Sequence, residues 1–176
     1  MRKKFVKRNF TGIILIAVLT IVSSCEKKPT NCDPDSYEPN NSLGSSYVLP
    51  AVEENSASFT ARISSEDDID FYSITASEGS HIGEIPGTSQ YFKMNFHLTN
   101  PSGKDYDLYI YNAEGSLFDQ STTLGDGEES VEATWEGTVG FDDSYTFGVE
   151  VRPFSGDWSC DDYTLSVTMS YSSSPW

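Results

Sequence analysis

The chain has 176 residues, of which 27 are acidic and 11 basic, and its formal net charge at pH 7 is −16. So negative a field repels phosphate backbones and anionic lipid head groups, which excludes binding to nucleic acid or to a membrane through a basic patch. It favours cations and basic partners, while a solvated acidic surface that keeps the protein soluble is the other interpretation.

The first 25 residues have the features of a secretory signal. Five basic residues lie between Arg2 and Arg8, and the apolar stretch from Gly12 to Val22 is short for a membrane span. It ends in Val22-Ser23-Ser24-Cys25, which resembles the lipobox of bacterial lipoproteins. We therefore predict a signal peptide over residues 1–24 and a lipid on Cys25. An uncleaved membrane anchor and an ordinary secreted protein are the alternatives.

Cleavage before Cys25 changes the charge and suggests a location. Six basic residues remain against 27 acidic ones, a net charge of −21. The next residue, Glu26, does not resemble the usual inner-membrane retention signal, so we predict a lipid-anchored protein of the cell envelope, in the outer membrane. Residues 25–31 form a brief linker that would hold the folded domain close to the membrane.

The remaining cysteines are Cys32 and Cys160. They are the only pair left in an oxidising compartment, which predicts a disulfide between them. Closing so long a loop is worth about 4 to 5 kcal/mol in the chain-entropy model. Metal binding by two thiols so far apart in the sequence is the less favoured interpretation.

An arm rich in proline, asparagine and aspartate follows Cys32, and from residue 57 onward apolar and polar residues alternate with period two. This alternation, bounded by turn residues, is typical of half-buried strands. The predicted strands are Ala57 to Ile63, one after Asp70, Met94 to Leu98, Tyr106 to Tyr111, one near Leu117, Val131 to Trp135, Tyr145 to Val151 and Tyr163 to Met169. About eight strands at this spacing predict an all-β sandwich or barrel.

A run of carboxylates, Glu66 to Asp70, leads directly into a predicted strand. Alternation points Asp68 and Asp70 to one side of that strand and Asp67 to the other. The arm offers three more oxygen donors, Glu38, Asn40 and Asn41. Calcium takes six to eight oxygen ligands, so an arm folded across the strand end would complete a calcium site. The alternative is an exposed acidic turn.

Four stretches carry a family resemblance: Tyr37 to Ser42, Asp68 to Tyr72, Asp107 to Gly115, and Gly156 with Asp162 to Val167. In this order they resemble the motifs of the bacterial pre-peptidase C-terminal domain. The resemblance implies a jelly-roll-like antiparallel β-sandwich over residues 32–171, followed by a polar tail, 172–176. The implied sandwich is similar to the collagen-binding domains of clostridial collagenases, some of which bind calcium.

No catalytic constellation stands out, so we expect no enzymatic activity. Of the two histidines, His81 lies in a predicted loop, Gly79 to Tyr91, which is a candidate for specificity, and His97 lies on the polar face of a strand. The chain has no zinc-protease motif, nucleophile elbow or P-loop.

Aromatic side chains are the better functional lead. Tyr109 and Tyr111 lie opposite Leu108 and Ile110 in strand parity, and Trp158 lies in a loop. Exposed rings can stack on sugars or grip an extended peptide. Two hypotheses remain: a monomeric binding module for a protein or polysaccharide, and a structural accessory. The alternative is that the arm or a loop covers the sheet face on which these rings lie.

Overall fold

The computed structural model describes residues 32–80 and 84–176. The predicted signal peptide, Cys25, the linker and His81 lie outside them. The described residues form nine strands: β1 Tyr47–Val48, β2 Ser56–Ala61, β3 Asp70–Ala76, β4 Ser89–Thr99, β5 Tyr106–Tyr111, β6 Leu117–Ser121, β7 Glu129–Thr138, β8 Tyr145–Pro153 and β9 Tyr163–Ser172. Two 3₁₀ turns occur, Leu43–Ser45 and Phe154–Gly156. In this part of the chain no helix is long and apolar enough to cross a membrane.

Two sheets pack face to face. Their strand orders are β1-β3-β8-β5-β6 and β2-β9-β4-β7. Without β1 these are the two four-stranded sheets of a jelly roll, which confirms the predicted fold. The expectation of about eight antiparallel strands missed β1, which pairs parallel with β3. Both of its residues are exposed, so it carries no burial pattern that a sequence could display.

The core lies between the sheets and follows the predicted alternation. In β4 the side chains of Phe92, Met94, Phe96 and Leu98 are completely buried, whereas Lys93, Asn95 and His97 between them face outward. Apolar residues of β3, β5, β8 and β9 complete the same cluster from both sheets. The period-two pattern therefore identified the inward face of the strands.

Strand pairing gives the sandwich two distinct ends. Asp70 pairs with Val151 at one end of the β3–β8 ladder, and Ala76 pairs with Tyr145 at the other. We call the first the disulfide end, made of residues 32–41, 62–69 and 154–162. The second, the distal end, is made of residues 77–80, 84–88 and 139–144. The loop predicted from Gly79 to Tyr91 is shorter than expected, because β4 already begins at Ser89.

The predicted disulfide is present. Cys32 and Cys160 are bonded across a separation of 128 residues, with their Cα atoms 5.5 Å apart. Beside the bridge, the Cys32 N–H donates a hydrogen bond to the Ser64 carbonyl at 2.9 Å. The bridge therefore holds the start of the arm against the loop that precedes β9.

Loss of this bridge is expected to destabilise the protein. Replacing both cysteines, Cys32→Ser with Cys160→Ser, should lower the free energy of unfolding by about 2 to 5 kcal/mol, because the unfolded chain regains the entropy of a long loop. Urea unfolding of oxidised wild type and of the double variant measures the difference. Reduced wild type is the control and should match the variant; equal stability of oxidised and reduced wild type would contradict the prediction.

Candidate metal centre

The N-terminal arm lies across the start of β3. The Phe71 N–H donates to the Asn40 carbonyl at 2.9 Å, and the Ile69 N–H donates to Asn41 Oδ1 at 3.1 Å. These bonds hold the arm beside the residues that enter the strand. The arm is therefore part of the folded domain, as the proposed calcium site requires.

Two further residues hold the arm in place. Asp35 accepts hydrogen bonds from the N–H groups of Tyr37 at 2.8 Å and Arg62 at 2.7 Å. The Tyr37 ring packs edge-on against Tyr47 and Tyr72, with centroids 4.9 and 5.7 Å apart. Asp35 therefore joins the arm to a backbone group 27 residues away.

Three carboxylates meet where the arm crosses the strand. Glu38, Asp68 and Asp70 each offer an oxygen within 4.8 Å of the other two. Asp68 is 4% exposed and Asp70 is fully buried, whereas Asp67, the residue before Asp68, is exposed. Asp68 and Asp70 therefore share the buried side, as predicted, whereas Asp67 lies in the turn before the strand.

The Asn40 side chain completes this group. It is fully buried, and one of its two terminal amide atoms lies 3.1 Å from Glu38 Oε2 and 3.2 Å from Asp70 Oδ1. With nitrogen at this position, Asn40 donates a hydrogen bond to both carboxylates. With oxygen there, it faces the same point as the carboxylates and could coordinate a cation. The amide therefore suits the centre with or without an ion.

The two aspartates accept hydrogen bonds but still offer carboxylate oxygens that could bind a cation. Asp68 Oδ2 accepts from the Ser64 N–H at 2.6 Å, whereas Oδ1 is buried without a hydrogen-bond partner in the described part of the chain. Asp70 Oδ2 accepts from the Tyr163 hydroxyl at 2.5 Å, and that hydroxyl lies 2.6 Å from the Tyr72 hydroxyl. A buried oxygen without a partner is costly, and a cation would satisfy it.

Burial and mutual repulsion shift the titration of this cluster. Burial raises the pKa of Asp70 from 3.8 to about 8, against the Tyr163 hydrogen bond that lowers it, and the charges of Asp68, Asp35 and Glu38 raise it further. The pKa of Glu38 is also raised, first by burial and then, against the Asn40 N–H, by Asp68. A bound divalent cation would act against both shifts, because its positive charge favours the ionised carboxylates.

The donor set fits calcium. It consists only of oxygens, on two aspartates, a glutamate and an amide, without nitrogen or sulfur atoms that would favour zinc. Ligation by Glu38, Asn40, Asp68 and Asp70 stays a prediction, as it does for Asn41, whose Oδ1 accepts the Ile69 N–H. A calcium ion there would supply positive charge between the arm and β3, and water would fill its remaining positions.

Sequence reasoning missed the hydroxyl pair beneath Asp70. Tyr163 begins the apolar alternation of its predicted strand, and both its ring and that of Tyr72 are buried in the core. Nothing in the pattern shows that their hydroxyls meet at Asp70, since Tyr163 lies 93 residues away. Only the pairing of the two sheets brings them together.

The predicted aromatic surface is largely covered. Tyr109 is only 8% exposed and Trp158 only 3%, so the expectation of exposed rings is wrong for both. The Arg152 guanidinium lies 3.9 Å above the centroid of the Tyr109 ring, and the Tyr109 hydroxyl donates to Asp107 at 3.2 Å. Side chains of the same sheet face therefore contact this ring.

Tyr111 is half-buried on the same face. Its hydroxyl donates to Glu150 Oε2 at 2.5 Å, and Glu150 is itself 3% exposed. Its ring centroid lies 6.3 Å from that of Phe71. The strand parity predicted for Tyr109 and Tyr111 is confirmed, but polar partners occupy both hydroxyls.

The metal-free protein should become less stable as the pH rises from about 4 to about 8. In this window folded Asp70 keeps a proton that the unfolded chain has lost, so the folded state binds more protons and each pH unit costs at most about 1.4 kcal/mol for this group. Urea unfolding in chelator at pH 5, 6, 7 and 8 measures the slope. Asp70→Asn should flatten it, and the exposed control Asp67→Asn should keep it. Stability that is constant or rises over this range would refute the assignment.

Neither the family models nor the curated proteins give a match. Among solved structures, the chain is similar to the pre-peptidase C-terminal domain of a Bacillus anthracis collagenase, with 10% identity, 70% of this chain and 95% of that one covered, and a TM-score of 0.39. It is also similar to a carbohydrate-binding module of Cellvibrio mixtus lichenase 5A, with 13% identity, 49% and 61% covered, and a TM-score of 0.27. The first is the kind of domain that the sequence motifs resemble; likenesses this distant carry no argument about function.

Proposed function

We propose that the protein is a lipid-anchored binding module of the cell envelope, without catalytic activity, in which calcium orders the N-terminal arm. Its ligand is a protein or a polysaccharide. The observation that carries the proposal is the meeting of Glu38, Asp68 and Asp70 at the junction of arm and strand. Three carboxylates so close together, two of them buried, favour a bound cation over three unpaired charges.

The position of this centre gives the calcium a mechanical role. Cys32 lies seven positions after Cys25, which limits the extended linker to about 25 Å. With a lipid on Cys25, the disulfide end would face the membrane. Calcium would join the arm to β3 at that end, and so limit how far the sandwich tilts on its anchor.

Non-catalytic binding agrees with the surroundings of the candidate catalytic groups. His97 lies on the outer face of β4, where Nε2 is 3.1 Å from Glu128 Oε2. The carboxylates of the metal centre accept hydrogen bonds from backbone amides and from Tyr163. These contacts support a structural role for the carboxylates.

Calcium should bind the protein and raise its melting temperature. At free calcium 100 times the dissociation constant, the free energy of unfolding should increase by about 2.7 kcal/mol, which corresponds to roughly 5 to 10 °C for a domain of this size. Isothermal titration gives the affinity, and thermal unfolding with calcium or chelator gives the shift. Binding should be lost in Asp70→Asn and Glu38→Gln.

The matched control is Asp67→Asn, which removes an exposed carboxylate directly next to the predicted ligand Asp68. It should bind calcium like wild type. If Asp67→Asn and Asp70→Asn lose calcium equally, or if wild type shows neither heat nor a melting shift, the carboxylates do not form a calcium site.

The lipid anchor depends on one residue. Cys25→Ser should move the protein from the membrane fraction to the soluble fraction and abolish the mass increase expected for lipid, because the modified thiol is missing. Fractionation and mass spectrometry of wild type and variant measure this, with Cys32→Ser as a control that keeps the lipid. Membrane association of Cys25→Ser equal to wild type would overturn the anchor.

A further inference from the structure

We propose that a cleft at the distal end binds a basic segment of a partner protein that carries an apolar side chain. The cleft has a volume of about 570 Å³, and its lining includes Glu78, Glu84, Pro86, Val139, Phe141 and Asp142. This inference rests on the proposed function, since it names the ligand class and the surface of the binding module.

Hydrogen bonds between two loops shape the cleft. The Gly87 N–H donates to the Val139 carbonyl, and the Val139 N–H donates to the Thr88 carbonyl, both at 2.9 Å. Across the cleft, Glu78 Oε2 accepts from the Asp143 N–H at 2.8 Å, and the Glu78 N–H donates to Ser144 Oγ at 3.0 Å. These contacts hold the loops together without a ligand, as in a preformed site.

Two large apolar side chains project at this end. Ile85 is 72% exposed and Phe141 is 70% exposed. They belong to the two loops that the Val139 hydrogen bonds join, and a Cβ on Gly140 would lie 3.8 Å from Pro86. Exposed apolar side chains gathered in one place, with polar residues around them, mark an interaction surface.

The charge around these side chains is negative. Glu78, Glu84 and Asp142 line the cleft, and a Cβ on Gly79 would lie 3.0 Å from Glu53 Oε1 and 3.1 Å from Glu54 Oε1. None of the described lining residues is basic. The four basic residues in the described part of the chain form ion pairs with other acids: Arg62 with Asp162, Lys93 with Glu132, Lys104 with Asp157, and Arg152 with Glu150.

Charge complementarity indicates which kind of partner segment fits the cleft. Carboxylates beside an exposed phenylalanine and an isoleucine suit a segment in which lysine or arginine flanks an apolar residue, because the cation meets the acids while the apolar side chain covers Phe141. The distal end is also opposite the Cys32–Cys160 bridge, where the chain enters the domain. A partner could reach it without contact with the anchor.

The test uses the full chain in a non-ionic detergent with calcium present and a capped probe peptide, Lys-Leu-Lys-Phe-Lys. Saturable binding is expected, with NMR shifts at residues 77–80, 84–88 and 139–144 and an affinity that falls as salt rises. Phe141→Ser should weaken binding about tenfold, as expected for a central apolar contact, and Asp142→Asn should weaken it less. Both side chains are exposed, so the melting temperature should not change.

Matched variants elsewhere serve as controls. Phe154→Ser removes an exposed phenylalanine at the disulfide end, and Asp119→Asn removes an exposed acid on β6; both should bind like wild type. The peptides Glu-Leu-Glu-Phe-Glu and Lys-Ser-Lys-Ser-Lys should bind at least about tenfold more weakly than the probe, since each lacks one of the two features.

Three results would overturn the inference: no binding of the probe, equal binding by Phe141→Ser, or equal binding of the serine peptide, which would mean general attraction to an acidic protein. Retention on insoluble polysaccharides, measured in parallel, separates the two proposals. Retention without peptide binding would reject the cleft and leave the binding module in place. If the protein binds calcium but neither the peptide nor the polysaccharides, the role of a structural accessory is the hypothesis that remains.

Discussion

The arrangement of the disulfide end depends on the burial of Asp70 at the point where the arm crosses β3. A buried carboxylate is costly unless hydrogen bonds or opposite charge compensate for it, and two other carboxylates lie close by. On the side of Asp70 that faces the core, the Tyr163 hydroxyl donates a hydrogen bond to the carboxylate. On the side that faces the arm lies the Asn40 amide. Proton or cation binding at this point therefore links the arm to the core of the sandwich.

The disulfide and the acidic cluster act on the same segment in different ways. The Cys32–Cys160 bond holds the start of the arm and limits the unfolded chain, whatever the solvent contains. The contacts of Asp35 and Tyr37 add direct packing. The disulfide attaches the arm permanently, whereas the raised pKa of Asp70 and the proposed calcium binding would make the order of the arm depend on solution conditions.

The surfaces of the sandwich differ in what they offer a partner. On the outer face of the five-stranded sheet, Tyr109 and Tyr111 are engaged with Asp107, Arg152 and Glu150, so polar contacts within the sheet occupy the expected aromatic platform. At the distal end, Ile85 and Phe141 remain exposed beside carboxylates. This end therefore favours a binding role over that of a uniformly polar spacer.

The amino-acid sequence by itself determined the strands other than β1, the disulfide and the shared burial of Asp68 and Asp70, because period-two alternation and cysteine pairing are local or combinatorial signals. Tertiary structure alone decided three other features: the β1–β3 pairing, the burial of Tyr109 and Trp158, and the hydroxyl contact of Tyr163 with Asp70. Each depends on which strands become neighbours and on how side chains of one sheet face cover one another. Alternation tells which face a residue occupies, and only the packed sheets determine what lies against that face.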